Sequence, residues 1–256
     1  MTMILIAPFL AAGLLLGMLL LLEIGRRVGA RRLAQDPDGA RTGAAPIEGA
    51  VFGLLGLLIA FTFSGAATRF DTRRHLIVEE ANDIGTAYLR LDLLPPESQP
   101  PLRDLFRRYL DTRLEAYGAL PDTVAAKTAL DRAAVLQGEI WNAAVVASRG
   151  SSPATMLLLP ALNQMIDITS TRLAGMRMHP PTVVFLMLSG LTLLGSLLAG
   201  YGMAASKKRG WIHMLVFATV MAASVYLIVD LEFPRAGLIR VTSFDQVLVD
   251  VRQTMK

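Results

Sequence analysis

Ionisable side chains in this chain gather at the ends of long apolar runs, where a charge has a physical cost. Glu48 opens one run, and no further charge appears until Arg69, which Arg73 and Arg74 follow. Asp230 closes another, with Glu232 and Arg235 flanking Pro234. Charges beside a bilayer are expensive unless paired or hydrated. Asp230, Glu232 and Arg235 are placed to bind one another or the arginines after the earlier run; interfacial anchoring, with the charge in water, is the alternative. Glu48 and Asp230 fall at opposite membrane faces and so do not pair within one subunit. No catalytic set emerges. His75, His179 and His213 are far apart, with no second histidine or cysteine at i+3 or i+4. Cysteine is absent, which removes disulfide and thiol chemistry and argues against zinc. Glu79, Glu80 and Asp83 are close enough to suggest paired carboxylates, but together with Arg90 they read as the solvated face of a helix. There is no glycine-rich phosphate loop, G-x-S-x-G or H-E-x-x-H. The residues point to no enzyme, no metal and no cofactor.

The apolar runs themselves dominate the chain. It is 53% hydrophobic, with a mean hydropathy of +0.48, too apolar for an ordinary soluble domain. Four segments are long enough to cross a hydrocarbon core, which takes about 20 apolar residues. The expected fold class is therefore all-α: an integral membrane protein with four transmembrane helices and a helical extramembrane bundle between the second and third. Its parts are a first transmembrane pair in 1–68 (spans 3–22 and 47–68), a bundle in 69–178, and a second pair with a short tail in 179–256 (spans 182–203 and 211–229). Nothing basic precedes the first run, while Glu23, Arg26, Arg27, Arg31 and Arg32 follow it, so it reads as a retained span rather than a signal peptide. Residues 23–46 read as a loop, with a turn at Asp36-Pro37-Asp38-Gly39. In the second span Gly49, Gly53, Gly56, Ala60 and Ser64 recur every three or four residues, a face on which another helix can approach closely. Its partner lies either within the chain or in another copy.

Beyond Arg69 the second span continues as an amphipathic helix, burying Ile77, Ala81, Ile84, Tyr88 and Leu91 until Pro95-Pro96 ends it. A second helix starts at 98–101 and buries Leu102, Leu105, Phe106, Tyr109, Leu110 and Leu114. A third, capped by Asp122, buries Leu130, Ala134, Trp141 and Val145. A fourth starts at Ser152-Pro153, is kinked by Pro160 or holds it near its start, and runs to about Met176. The tail after Pro234 alternates apolar and polar residues, which suits either a strand or an amphipathic segment. Two short basic loops (Arg26, Arg27, Arg31, Arg32, Arg41; Lys207, Lys208, Arg209) should lie in the cytoplasm. That orientation makes the chain a multi-pass protein of a bacterial inner membrane with a periplasmic bundle, although Arg69, Arg73 and Arg74 then lie on the external side. The arginines beside the spans attribute the basic pI to membrane orientation, not to nucleic acid; the bilayer is the first partner.

Residues 61–74, FTFSGAATRFDTRR, resemble bestrophin channels where their second span leaves the membrane. More closely, residues 56–74 and 77–95, LPALN at 159–163 and DLEFPRAG at 230–237 are similar to the bestrophin-like domain family of bacterial membrane proteins. The resemblance implies a homo-oligomer, pentameric in bestrophins, with a chloride-conducting pore lined by the second span. It places a narrow neck at Leu57 and Phe61 and an anion-attracting collar at Arg69, Arg73 and Arg74. Gly53 stands where a third bulky neck residue is expected, and the tail lacks the dense acidic run of a calcium clasp. Bestrophins keep their extramembrane helices in the cytoplasm, opposite to the charge-based orientation. The other reading is a non-conducting, membrane-anchored helical interaction or stress-signalling module, whose small-residue face packs inside one subunit.

Overall fold

Among the described residues there are eight α-helices: α1 (Thr2–Gln35), α2 (Ala44–Leu89), α3 (Gln99–Gly118), α4 (Thr123–Ala147), α5 (Ser152–Arg177), α6 (Thr182–Gly202), α7 (Trp211–Glu232) and α8 (Gln246–Thr254). The structure is a computed structural model and describes residues 2–35, 44–206, 210–235 and 237–256. The turn at Asp36–Gly39, Arg41, and the basic loop Lys207, Lys208 and Arg209 lie outside the described residues. Among the described residues four helices are long and apolar enough to cross a membrane, and there is no strand. The chain divides into two compact units, one of residues 2–68 and 179–233, the other chiefly of residues 69–178 and 234–256.

The first unit holds α1, the N-terminal half of α2, α6 and α7. In it α1 does not stop at Leu22 but continues to Gln35, through the stretch expected to be a loop. Glu23 explains the extension. Its carboxylate accepts from Arg26 at 3.1 Å and Arg27 at 2.7 Å, the i+3 and i+4 pairings that hold a helix turn together. α7 likewise passes the expected end at Val229 and reaches Glu232. α1 and α6 run parallel and nearly touch through glycines. A Cβ on Gly25 would lie 2.0 Å from the Leu197 carbonyl oxygen, and one on Gly200 would lie 2.0 Å from that of Leu22. In lipid such backbone proximity is what holds helices together. Phe52 and Phe217 meet edge to face at 6.3 Å. Several hydroxyls inside the spans donate to carbonyls one turn back (Thr62 to Leu58, Thr192 to Leu188, Ser224 to Val220), so these need no water. Phe9, Leu16, Leu186 and Ile212 point outward, the apolar exterior a bilayer would cover.

The second unit is a helical bundle. The stripe on α2 from Ile77 to Leu91 is buried as its spacing requires, against Leu102, Phe106, Tyr109 and Leu110 of α3; Leu105 and Leu114 are only partly buried. Asp122 caps α4 by accepting from the amides of Val124 and Ala125. The buried face of α4 is not the expected one. Leu130, Trp141 and Val145 are half-buried and Ala134 is exposed, while Ala126, Ala129, Ala133, Leu136, Ile140 and Ala144 face inward. An alanine face lets α4 lie close to its neighbours, and the larger residues cover its flanks. Ser151, one residue earlier than expected, caps α5, and Pro160 sits inside that helix. The tail joins this unit rather than the membrane pair: Val241, Leu248 and Met255 enter its core. Arg252 fixes α8 by donating from Nε and Nη2 to Asp111 at 2.7 and 3.0 Å.

Candidate functional site: the α2 face and a buried charge cluster

On α2, Leu55 and Ala66 point into the first unit. At 100° per residue, Gly49, Gly53, Gly56, Ala60 and Ser64 fall on the far side of the helix, and all five are exposed. A Cβ built on any of these three glycines meets nothing within 4 Å. Leu57 and Phe61 flank that strip and are 56% and 72% exposed. Within one chain the strip and the two bulky residues form one uncovered, mostly apolar surface.

The three arginines that follow have different surroundings. Arg69 is half-buried. Arg73 is buried, and its guanidinium donates to the carbonyl oxygens of Gly175 at 3.2 Å and Met178 at 2.7 Å. It thereby supplies positive charge and donors where α5 ends in unsatisfied carbonyls. Arg74 lies 4.2 Å above the Phe244 ring and bonds Asp71 at 2.9 Å.

Of the boundary charges, Glu48 is half-buried with its carboxylate over Gly202. Asp230 and Glu232 are buried and not exposed anchors; Tyr226 donates to Asp230 at 3.2 Å, and His179 lies 3.4 Å from Glu232 while stacking on Phe233. Arg235 donates two bonds to Asp245, at 2.7 and 2.9 Å. Among the described residues no group of histidine, aspartate and glutamate is arranged to hold a metal ion.

The densest chemistry lies in the bundle, at a residue expected on the solvated face. Glu80 is 0% exposed. Arg113 Nε donates to its Oε1 at 2.7 Å, Tyr117 Oη donates to its Oε2 at 2.9 Å, and Arg172 Nη1 donates to the same oxygen. The guanidinium carbons of Arg172, Arg113 and Arg235 lie 4.1, 5.0 and 5.0 Å from the Tyr117 ring centroid. Burial pushes the Tyr117 hydroxyl well above its ordinary range. Burial first, and Arg235 second, pull the Arg172 guanidinium down to about 9, still charged at neutral pH. The signal for this cluster was helical phase. Glu80 stands three residues after Ile77 and four before Ile84, on the buried stripe, and Arg113 stands four after Tyr109 and four before Tyr117.

Together these units define a helical membrane protein with a polar-cored bundle between its second and third spans. Residues 12–244 match the family model for the bestrophin-like domain, and the chain belongs to that family. Its fold is similar to crystal structures of a bacterial bestrophin homolog from Klebsiella pneumoniae. A variant with a tyrosine-to-alanine substitution aligns at TM-score 0.67 and 14% identity over 93% of this chain and 98% of that one. A tryptophan-to-alanine variant aligns at TM-score 0.66 and 13% identity over 94% and 95%. A further membrane protein, with a proline-to-alanine substitution, aligns at TM-score 0.62 and 15% identity over 94% and 99%. No curated protein matches the chain.

Proposed function

We propose that this protein is an oligomeric, passive anion channel whose pore is lined by α2. The observation that carries the reading is the exposed α2 surface: Gly49 to Ser64 with Leu57 and Phe61 alongside, uncovered by any of the described residues. A ring of copies gives both halves of that surface a role. The small residues admit the neighbouring helix, and Leu57 and Phe61 narrow the bore into an apolar neck that gates by dewetting. Membership in a family of channel-like architecture supports the same reading. Arg69, Arg73 and Arg74, which follow the neck on α2, form a collar that raises the local anion concentration. The non-conducting alternative expects the small-residue strip to pack inside one subunit, whereas a Cβ built on any of its three glycines meets no described neighbour within 4 Å.

The test is chloride flux from liposomes containing the purified oligomer. Wild type should conduct and Phe61→Ala should conduct more, by severalfold, since the neck loses its bulkiest side chain. A well-folded oligomer with no flux overturns the reading.

A further inference from the structure

Between α3, α4 and α5 the bundle has a cleft of about 210 Å³. Two buried cations, Arg113 and Arg172, line its base beside Tyr117; Leu130, Leu173 and Met176 supply apolar walls, with Gln137 alongside. Around it the guanidiniums of Arg113, Arg172 and Arg235 bond the carboxylates of Glu80 and Asp245, while Asp131, also on the cleft lining, is paired with Lys127 at 2.6 Å, so the described charges leave one cation in excess. A guanidinium carries five donors. The bonds to Glu80 and Tyr117 use Nε and Nη2 of Arg113 and Nη1 of Arg172, leaving further N–H groups on both. In a low-dielectric setting an excess buried cation is costly until an anion joins it. The volume is below the roughly 300–1,000 Å³ of pockets for drug-sized ligands, so the occupant is small.

We propose that this cleft binds a small aliphatic carboxylate, its headgroup on Arg113 and Arg172 and its alkyl end against Leu130, Leu173 and Met176. Planar carboxylates match the guanidinium fork, and the apolar walls distinguish such a ligand from a bare inorganic ion. The site lies wholly in the bundle and does not depend on ion conduction.

Calorimetric titration of the full-length protein in detergent with sodium butyrate tests it, with butylamine hydrochloride and sodium chloride at equal ionic strength as controls. Butyrate should bind saturably and the controls should not. Ala134→Trp and Ser170→Trp introduce bulk at exposed positions of the two cleft walls and leave the arginines in place. Each should weaken butyrate binding at least tenfold with an unchanged helical spectrum and melting point. Absence of saturable butyrate binding, equal heats from chloride or butylamine, or undiminished binding in whichever tryptophan variant folds would each overturn the proposal.

Discussion

The Glu80 carboxylate holds two buried arginines, so its loss should register far beyond one hydrogen bond. Breaking a buried ion pair leaves an uncompensated charge and costs about 3–5 kcal/mol. Glu80→Ala should lose stability on that order, read by chemical unfolding in detergent monitored by circular dichroism. Glu79 is exposed one position away, and Glu79→Ala should stay within about 0.5 kcal/mol of wild type. Equal effects for the two variants would mean that Glu80 is hydrated. This contrast also marks how far single residues could be understood from sequence. Reading the acidic triplet by charge made Glu79, Glu80 and Asp83 one solvated face. Reading it by phase separates Glu80, because it shares a side with Ile77 and Ile84. What phase cannot supply is the partner, since Arg113 and Arg172 lie 33 and 92 residues away.

Among elements, glycines at similar spacing serve opposite purposes. Gly200 has the Leu22 backbone against it, whereas Gly53 faces open space. Gly200→Ala must push α1 and α6 apart and should cost about 1–3 kcal/mol by overpacking. Gly53→Ala should leave the stability of the single chain unchanged or raised, by up to about 1 kcal/mol, from helix propensity. Thermal unfolding of both variants as dispersed monomers checks the pair, and a larger loss for Gly53→Ala would reverse the assignment of faces. The second span was recognisable as a helix with a small-residue strip, and the stripe beyond Arg69 was readable to the residue. That close packing instead joins α1 to α6 was not readable: glycine spacing marks a face that can be approached, and the register between helices decides which face is. The α4 face escaped for a related reason, because alanines carry a weak hydrophobic signal and pack well only when a neighbour is already close.

At the scale of the whole molecule, the count and order of the spans follow from four apolar runs, but their direction does not follow from charge alone. The basic end of α1 argues for a periplasmic bundle, and resemblance to bestrophins argues for a cytoplasmic one. The chain has no cysteine, so a single Lys127→Cys substitution on the exposed side of α4 reports cleanly. Labelling by a membrane-impermeant maleimide in intact cells is expected from the arginine distribution; labelling only after permeabilisation would establish the reverse. The tail shows why topology outran the sequence. Its alternating pattern is degenerate between helix and strand, and its destination depends on a core assembled from residues more than a hundred positions earlier. That destination imposes an order in time. Arg235, Asp245, Val241 and Leu248 complete the bundle's charge cluster and core, yet the ribosome makes them after both later spans. During synthesis the bundle must therefore wait, its charge cluster without the Arg235–Asp245 pair and its core short of one wall, until the membrane pair behind it has been delivered.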